Sequence, residues 1–391
     1  MRIAILGTRG VPAAYGGFET AVEEIGSRLA AIGHEVTVFG DRTHADVTEY
    51  LGMRIVHVPS VPLKQLETLS RTGIATLRAL AGVKPDVAFV FNAANAPYVS
   101  LLRTRGVPVA VHVDGLEWQR AKWGGAGRAY YRWAEQRSVR TADALIADAP
   151  GIVEYYATEF GAPTELIRYG APLLQHGATA PLRAVGLEPE AFHLAVARFE
   201  PENHVLEIVR GYRASEARLP LVVVGSAPYS ADYTRAVHDA AMGDERIRLL
   251  GGVWDRELLD ALYTHAYTYI HGHSVGGTNP SLLRAMGAGT ATIAWDVGFN
   301  REVLDDDAWC FDSPASLTAI LAEVESCEPQ VIARGLRNQA RATRDFRWDD
   351  VADKYERLAL DLVAGASIHP LTRHARRVER ELDSHTSPVL A

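Results

Sequence analysis

Short apolar runs alternate with amphipathic stretches along most of the chain. In the first half, six apolar runs predict β-strands: 2–7, 35–40, 53–59, 86–91, 107–113 and 144–148. Between them, residues 17–32 and 66–82 have the apolar spacing of helices. The strand runs are apolar at nearly every position. Both faces of the sheet should therefore be covered, as in parallel sheets built from βαβ units.

The second half of the chain repeats this alternation. Six further runs predict strands: 192–197, 219–225, 246–251, 267–272, 290–295 and 308–312. A stretch rich in Gly, Pro and Ala, 169–190, separates the two halves. We therefore predict an α/β fold with two Rossmann-like domains, whose parallel sheets face a central cleft. In such sheets, ligands bind at the carboxyl ends of the strands.

This pattern predicts that the chain is divided into three parts. We predict one domain over 1–170, a second over 171–345, and a C-terminal segment over 346–391 that returns to the first domain and ends in a charged tail. An amphipathic helix is expected over 345–365. Its apolar side is predicted to hold Trp348, Val351, Tyr355 and Leu358.

The composition narrows the class of protein. The chain has 391 residues, of which 48% are hydrophobic and 23% charged, as in soluble globular proteins. A net charge of −8 argues against a nucleic-acid-binding protein, which would be basic. The two cysteines cannot form a disulfide framework, and we find neither a signal peptide nor a membrane-spanning run. We therefore expect a cytoplasmic protein.

The loop after the first predicted strand reads GTRGVPAAYGGFET and contains Gly16 and Gly17. It lacks the G-x-G-x-x-G spacing of a dinucleotide site. Two glycines at a helix N-terminus still allow backbone amides to approach an anion. The alternative is a tight turn that needs positive φ and binds nothing.

Three polar residues follow another strand, in VHVDGLEWQRAKWG. His112, Asp114 and Glu117 lie where the carboxyl end of a buried strand is expected and could act as acid, base or sugar ligand. The alternatives are a core histidine for His112 and a helix cap for Asp114.

Residues 118–140 combine six basic side chains and one acid with interleaved tryptophans and tyrosines. One interpretation is a solvated amphipathic helix with aromatic core contacts. The other is a surface that lies against anionic lipid or a lipid-phosphate acceptor. The sequence leaves both open.

Strand ends in the second half supply another set of candidates. Arg198 follows the strand at 192–197 and could bind a diphosphate, or could instead pair with Glu200 or Glu202. Further candidates follow the next two predicted strands. Gly225 and Ser226 lie at the end of the first, and Val253 and Trp254 follow the second, where backbone groups could contact a flat base.

The segment HGHSVGGTNPSLLRAMGAG completes the candidates. A helix is expected to start there, and the residues before it form a phosphate site: Gly276, Gly277, Thr278 and Asn279. His271 and His273 alternate in sequence, so we expect their side chains on opposite sides and no shared metal. The run Asp305-Asp306-Asp307 is interpreted as a solvated turn rather than a metal site.

Taken together, these motifs resemble the retaining glycosyltransferases of family 4, which have the GT-B fold. The resemblance rests on five segments in order: GTRGVPAAYGGFET, VHVDGLEWQRAKWG, ARFEPENHVLEIVRG, GGTNPSLLRAMGAG and FRWDDVADKYE. They look most similar to the bacterial rhamnosyltransferase branch that builds polysaccharide on lipid-linked sugars. The resemblance implies an acceptor-binding first domain and a second domain for the nucleotide sugar.

The resemblance also implies roles for residues. Gly16 and Gly17 match the loop that meets the donor diphosphate, and Arg198 matches the basic donor-binding residue. The family places a lysine where this chain has Asn203, and its two carboxylates fall on Gly276 and Arg284. These departures put conventional UDP- or GDP-sugar binding in doubt. Arg284 is expected either to lend charge to the diphosphate of a deoxyribose donor, or to face solvent or pair with Glu302.

We therefore predict a metal-independent retaining glycosyltransferase that needs no cofactor and uses dTDP-rhamnose as donor. The acceptor would be a saccharide or lipid-linked saccharide, and the protein would be cytoplasmic or peripheral at the inner face of the membrane. Asp114, Glu117 and Arg198 are the predicted catalytic residues. Two alternatives stay open: a UDP- or GDP-sugar transferase, and a GT-B protein that has lost catalysis and binds a partner.

Overall fold

The chain forms two compact units of parallel sheet and helix. The computed structural model describes residues 1–13, 16–43, 45–61, 66–113, 115–120, 123–226 and 230–369. The first unit holds Met1–Trp118, Gly125–Ile167 and the chain from Asp349 onward, and the second holds Arg168–Trp348 with the short segment Gln119–Gly124. The charged tail predicted near the end of the chain lies outside the described residues.

The first unit is built on a sheet that has eight strands within the described residues. These strands are β1 Arg2–Leu6, β2 Glu35–Gly40, β3 Glu49–Tyr50, β4 Met53–His57, β5 Val87–Phe91, β6 Val109–His112, β7 Ala144–Ala147 and β8 Glu165–Leu166. Their order is β3-β4-β2-β1-β5-β6-β7-β8, and every pairing is parallel except β3 with β4. All carboxyl ends of the parallel strands therefore lie at one edge.

The second unit has a sheet of six described strands. They are β9 His193–Val196, β10 Leu221–Val224, β11 Ile247–Gly251, β12 Thr268–His271, β13 Thr292–Trp295 and β14 Ala308–Phe311. The order β11-β10-β9-β12-β13-β14 is parallel throughout and has the doubly wound pattern of nucleotide-binding folds. The strand order reverses between β9 and β12, which is where ligands bind in such sheets.

Helices cover both sheets. They are α1 Gly17–Ala31, α2 Glu67–Ala81, α3 Ala96–Thr104, α4 Gly125–Thr141, α5 Pro150–Phe160, α6 Ala180–Ala184, α7 Val205–Arg213, α8 Ala231–Ala241, α9 Arg256–Thr264, α10 Pro280–Gly287, α11 Gly298–Leu304, α12 Pro314–Ser326, α13 Glu328–Asp345 and α14 Trp348–Val363. The sheet cores are apolar, and every residue of β5 is at most 1% exposed. The predicted α/β fold with two Rossmann-like domains is confirmed.

The last helix, α14, packs into the first unit. Tyr355 lies edge-on to Phe89, with ring centroids 5.0 Å apart, and stacks on Phe91 at 6.4 Å. At the surface, Arg28 of α1 pairs with Asp349 at 2.8 Å. The four residues predicted for its apolar side are at most 9% exposed: Trp348, Val351, Tyr355 and Leu358.

Candidate active site

Two loops that follow the adjacent strands β9 and β12 are bound tightly to each other. The amide and hydroxyl of Ser274 both donate to the carbonyl of Glu202, at 2.9 and 3.1 Å. Nδ1 of His204 lies 2.8 Å from the carbonyl oxygen of Gly272. A Cβ at Gly272 would lie 2.2 Å from the carbonyl oxygen of Asn203, so only glycine allows this approach. The strand ends at the switch point therefore form one rigid platform.

Arg198 stands at the start of this platform, just after β9. Its guanidinium lies 3.4 Å from the carboxylate of Glu200, whose side chain is buried, while Arg198 itself remains 36% exposed. The side-chain amide of Asn203 donates to the carbonyl of Arg198 at 2.8 Å. The pairing with Glu200 that the sequence offered as an alternative is present. Asn203 therefore stabilises the loop that presents the arginine.

The two histidines after β12 lie together. The rings of His271 and His273 stack with centroids 4.5 Å apart and planes 14° from parallel. The prediction that they point to opposite sides is wrong, because β12 ends at His271 and strand alternation does not reach His273. Among the described residues, no group of three or more His, Cys, Asp or Glu side chains is arranged to hold a metal.

Both histidines are neutral and have an unused nitrogen. Burial lowers the pKa of His271 to about 3. The pKa of His273 is also well below its ordinary value, first through burial and then because a second positive charge there would be repelled by a protonated His271 and by Arg198. Nε2 of His271 and Nδ1 of His273 are buried and make no hydrogen bond within the described chain. Because buried polar atoms normally have partners, these two nitrogens can accept a hydrogen bond from, or donate one to, a water molecule or a ligand group at the platform.

The end of β13 joins the same platform. The amide of Asn300 donates to the carbonyl oxygens of His273, at 2.9 Å, and Trp295, at 2.8 Å. The indole of Trp295 stacks on His204 with ring centroids 3.5 Å apart. Three neighbouring strand ends are thus bound together around Arg198 and the histidine pair. The sequence pattern had predicted a ligand-binding role for the arginine alone.

The predicted phosphate site before α10 is partly filled by the protein itself. The side chain of Asn279 accepts a hydrogen bond from the amide of Ser281 at 2.9 Å, and Pro280 has no amide hydrogen. This leaves at most two of the four amides that a helix start normally offers. An anion here would rely more on the preceding loop of Gly276, Gly277 and Thr278. Gly276 has a φ of +128°, and a Cβ there would meet no atom.

Arg284 has a partner that the sequence pattern did not suggest. Its guanidinium is ion-paired to the carboxylate of Asp260 on α9 and lies 5.7 Å from the ring centroid of Tyr263. The expected alternative of a pair with Glu302, or of a side chain free in solvent, is wrong. The cause is that α9 and α10 are neighbours in the second unit, which makes Asp260 the nearer acid.

The next two strand ends, after β10 and β11, hold the residues predicted to contact a base. Gly225 has a structural role: a Cβ would lie 1.8 Å from the carbonyl oxygen of Ala197, and its amide donates to Gly251 at 2.8 Å. Its amide is therefore engaged, and Ser226 is half-buried beside it. Val253 is half-buried, and Trp254 is 70% exposed.

In the first unit, Gly16 and Gly17 begin α1 as predicted. Gly16 has a φ of +102°, and no side chain caps this helix. Acidic side chains of α1 accept hydrogen bonds from backbone amides of the preceding loop. Glu19 accepts from the amide of Arg9 at 3.0 Å, and Glu23 from the amide of Ala13 at 2.7 Å. The anion-binding role of the two glycines remains a prediction.

The three polar residues predicted near the end of β6 have different surroundings. Asp114 lies outside the described residues. Glu117 begins a short 3₁₀ helix, Glu117–Gln119, and is 7% exposed. His112 ends β6, stacked on Phe91 at 5.2 Å and edge-on to Phe18 at 5.4 Å. Burial lowers the pKa of His112 to about 3, so its imidazole is neutral. His112 is therefore the core histidine that the sequence offered as an alternative.

Helix α4 carries the basic, aromatic surface predicted near residues 118–140. Arg128, Arg132, Trp133 and Arg140 are exposed, with Trp133 at 45%. On the inner side, burial raises the pKa of Glu135 to about 7. Exposed arginines and an indole on one helix are consistent with both interpretations left open above.

The aspartate run after α11 is bound by arginines of α13. Asp305 pairs with Arg341 at 2.7 Å and Asp307 with Arg337 at 2.6 Å. The solvated turn that the sequence favoured is thus an exposed turn fastened by ion pairs.

Known protein families match both units. Residues 16–170 match the family model described as "Glycosyl transferase 4-like domain", and residues 183–342 match the model described as "Glycosyl transferases group 1". The chain is a glycosyltransferase. No curated protein sequence matches it. None of the helices in the described part of this glycosyltransferase has the length and apolar composition that spanning a lipid bilayer requires.

Solved structures share the fold at low sequence identity. Sucrose-phosphate synthase from Thermosynechococcus elongatus is 21% identical with a TM-score of 0.80, covering 93% of this chain and 99% of that one. Anabaena HepE in complex with UDP-glucose is 17% identical with a TM-score of 0.75, covering 92% and 99%. A trehalose-6-phosphate protein from E. coli, bound with UDP-2-fluoro glucose, is 12% identical with a TM-score of 0.67, covering 93% and 99%. These similarities assign the glycosyltransferase to the GT-B fold.

Proposed function

We propose that this glycosyltransferase is a retaining enzyme of family 4 that transfers L-rhamnose from dTDP-rhamnose. The acceptor would be a saccharide or a lipid-linked saccharide in the synthesis of a surface polysaccharide or glycoconjugate. The proposal is supported by the order of the five sequence segments and by the family matches to both halves. It includes no cofactor and no metal.

The observation that carries the proposal is the platform at the switch point of the second sheet. Arg198 stands there beside two buried histidine nitrogens that make no hydrogen bond within the described chain. A partly exposed guanidinium on a rigid loop can bind a diphosphate bidentately. The two histidine nitrogens, being neutral, can exchange hydrogen bonds with sugar hydroxyls or phosphate oxygens. These features suit a donor with a charged diphosphate joined to a sugar.

The chemistry then depends on position and charge. In a retaining transfer of this type, the leaving diphosphate helps to deprotonate the acceptor hydroxyl on the same face of the sugar. Arg198 would neutralise the charge that develops on the diphosphate, with the loop of Gly276, Gly277 and Thr278 assisting through backbone amides. Asp114 and Glu117 would orient the sugar or acceptor. The strand ends at Ser226, Val253 and Trp254 would contact the base.

The choice of dTDP rests on Arg284. Guanidinium groups have no acceptor atom, so Arg284 cannot receive a hydrogen bond from a ribose hydroxyl. A deoxyribose donor has no 2′-hydroxyl and makes a smaller demand for acceptors. The ion pair with Asp260 also matters, because the carboxylate beside Arg284 offsets part of its positive charge. Arg284 would therefore assist the diphosphate less than an unpaired arginine.

A UDP-sugar donor is the second candidate. HepE and the E. coli trehalose-6-phosphate protein, which share the fold, were solved with UDP-glucose and UDP-2-fluoro glucose. In that case Asp260 would be the acceptor for the ribose hydroxyls, and Arg284 would hold Asp260 in place.

Thermal-shift measurements with dTDP, UDP, GDP and ADP separate these possibilities. We expect dTDP to raise the melting temperature most. A larger shift with UDP would favour the second candidate. If no nucleotide diphosphate shifts the transition, the proposed transfer is wrong.

A further inference from the structure

A cavity of about 300 Å³ opens in the first unit, at the carboxyl ends of β1, β2 and β4. Its polar lining includes Arg9, Glu19, Asp41 and Glu67, and its apolar lining includes Val11 and Pro12. Ligand cavities range from roughly 300 to 1,000 Å³, so this one has room for a sugar ring rather than for a nucleotide sugar.

Close packing of two loops builds the floor of the cavity. A Cβ at Gly40 would lie 2.7 Å from the carbonyl oxygen of Arg9 and 2.9 Å from Cα of Gly10. The amide of Asp41 donates to the carbonyl of Arg9 at 2.9 Å. Glycine at both positions thus allows the loop after β1 to lie directly on the loop after β2, which brings Arg9 and Asp41 side by side.

The one arginine that lines the described cavity is already engaged. Nε and Nη2 of Arg9 donate to the two carboxylate oxygens of Glu67, at 3.2 and 3.4 Å, and Arg71 donates to the same carboxylate at 3.1 Å. Although burial opposes ionisation, Arg9 and Arg71 hold the pKa of Glu67 below its ordinary value. This arrangement fixes Arg9 as part of the wall and makes it a poor site for a further anion.

Two other carboxyl groups accept backbone amides and, with two oxygens each, can accept further hydrogen bonds. Glu19 accepts the amide of Arg9 through Oε1, and Asp41 accepts the amide of Thr43 through Oδ1 at 2.8 Å. Burial is the main cause that raises the pKa of Glu19. Although burial lessens the charge on Glu19, the described lining has three carboxyl groups and one arginine. The cavity therefore offers hydrogen-bond acceptors and a net negative charge, and it would repel phosphate or carboxylate groups.

A neutral saccharide has the complementary chemistry. Its hydroxyl groups donate hydrogen bonds to carboxylates, and the C–H face of its ring packs on apolar side chains such as Val11 and Pro12. We propose that this cavity binds an uncharged sugar residue of the acceptor, through hydroxyls that donate to Asp41 and Glu19. The inference rests on the proposed glycosyl transfer and narrows its acceptor. The sugar that receives the new linkage, or its neighbour, carries neither a carboxylate nor a phosphate.

Saturation-transfer NMR without any donor tests this directly. The probes are the methyl glycosides of glucose, galactose, mannose, N-acetylglucosamine and rhamnose, together with the matched uronates of glucose, galactose and mannose. We expect at least one neutral glycoside to bind, and its affinity to exceed that of the uronates by roughly tenfold or more, the scale of a hydrogen bond to a charged group. Absence of binding by every neutral glycoside, or equal binding of the uronates, would overturn the proposal.

Two isosteric variants and a matched control locate the binding. Asp41→Asn and Glu19→Gln keep the shape and an amide oxygen but remove the charge. Each variant should bind the neutral glycoside roughly tenfold more weakly and discriminate less against the uronates. Asp46→Asn removes an exposed aspartate of the same loop and should change neither. Unchanged affinity in both folded cavity variants would place the sugar elsewhere.

Nucleotide binding, measured in parallel, separates this inference from the proposed function. If the glycosides bind but no nucleotide diphosphate does, the cavity assignment stands and the transfer proposal fails. If dTDP binds with sugar transfer while the cavity variants behave as the native protein, the transfer proposal stands and the cavity assignment fails.

Discussion

Arg284 on α10 is ion-paired to Asp260 on α9. The family that the sequence resembles places a carboxylate at the position of Arg284. In this chain position 284 is an arginine, and its carboxylate partner, Asp260, lies on the neighbouring helix. The pair has 21% and 32% of its side-chain surface exposed, so it is accessible without being fully solvated. Any role of Arg284 in donor binding therefore has to be considered together with Asp260.

Opposite changes are expected when the two partners are neutralised separately. If Arg284 assists the diphosphate, Arg284→Gln should weaken dTDP binding by roughly tenfold, whereas Asp260→Asn should strengthen it by freeing the arginine. Calorimetric titration with dTDP and UDP measures the nucleotide affinity of both variants. Arg235→Gln, which removes a 69% exposed arginine in the same unit, is the control.

The native protein should prefer dTDP over UDP by roughly ten- to hundredfold, since an unpaired buried hydroxyl costs about 1–3 kcal/mol. Equal affinities for the two nucleotides would reject the deoxyribose explanation. A selective loss of UDP binding in Asp260→Asn would instead assign Asp260 to the ribose.

Arg198 is expected to supply most of the diphosphate affinity. Arg198→Ala should weaken dTDP binding by about 2–4 kcal/mol, the scale for removing one partner of a buried charged contact. Arg198→Lys keeps the charge but loses the planar, bidentate geometry. Its affinity for dTDP should lie between those of the native protein and the alanine variant. Because the alanine variant also leaves Glu200 without this partner, its folding must be checked by circular dichroism. Native affinity in a folded alanine variant would contradict the role.

Buried neutral histidines should make the protein sensitive to acid. The pKa values of His112 and His271 are about 3 in the folded protein, compared with 6.5 for an ordinary histidine. Between these values the unfolded chain binds more protons, so stability is fully present above pH 6.5 and falls as the pH drops below it. Each group contributes at most about 1.4 kcal/mol per pH unit.

Urea unfolding at pH 7.5 and pH 5.5 measures this effect. His112→Gln and His271→Gln should each flatten the loss of stability between these two pH values, even if they lower stability at both. His238→Gln, in α8, is the control. An unchanged pH slope in both variants would show that these imidazoles are not kept neutral by burial.

The exposed face of α4 is expected to bind anionic membranes. Each arginine near such a surface contributes about 1 kcal/mol, so replacing Arg128, Arg132 and Arg140 by serine should reduce vesicle binding by roughly a hundredfold. Co-sedimentation with phosphatidylserine vesicles measures it, and high salt should also release the native protein. Arg78→Ser on α2 is the control. Binding that survives the triple substitution would assign α4 to the solvated alternative.

Periodicity predicted the sheets well because their strands are buried on both faces. All twelve predicted strands are present, at the predicted positions to within a few residues. Within the described chain, the two strands that were missed are Glu49–Tyr50 and Glu165–Leu166. They have two residues each and lie at the sheet edges, where no apolar run is needed. Local pattern carries no signal for such short edge pairings.

The site was less predictable because its contacts join distant parts of the chain. Arg198 could be recognised from its place after a strand, but Asp260 meets Arg284 only because α9 and α10 pack together. His271 and His273 were misplaced by assuming that alternation continues past the strand end. The cavity beside Arg9 and Asp41 depends on the close approach of two loops at glycines, which the order of residues does not reveal.

The most direct test of retaining transfer from dTDP-rhamnose is the anomeric configuration of the product. The native protein would be incubated with dTDP-rhamnose and the neutral methyl glycosides as acceptors, in the presence of EDTA, and the new linkage read by proton NMR. We predict a rhamnosyl product with the same anomeric configuration as the donor, formed equally well with and without EDTA. An inverted linkage, a requirement for added divalent metal, or transfer from UDP-sugars but not from dTDP-rhamnose would contradict the account.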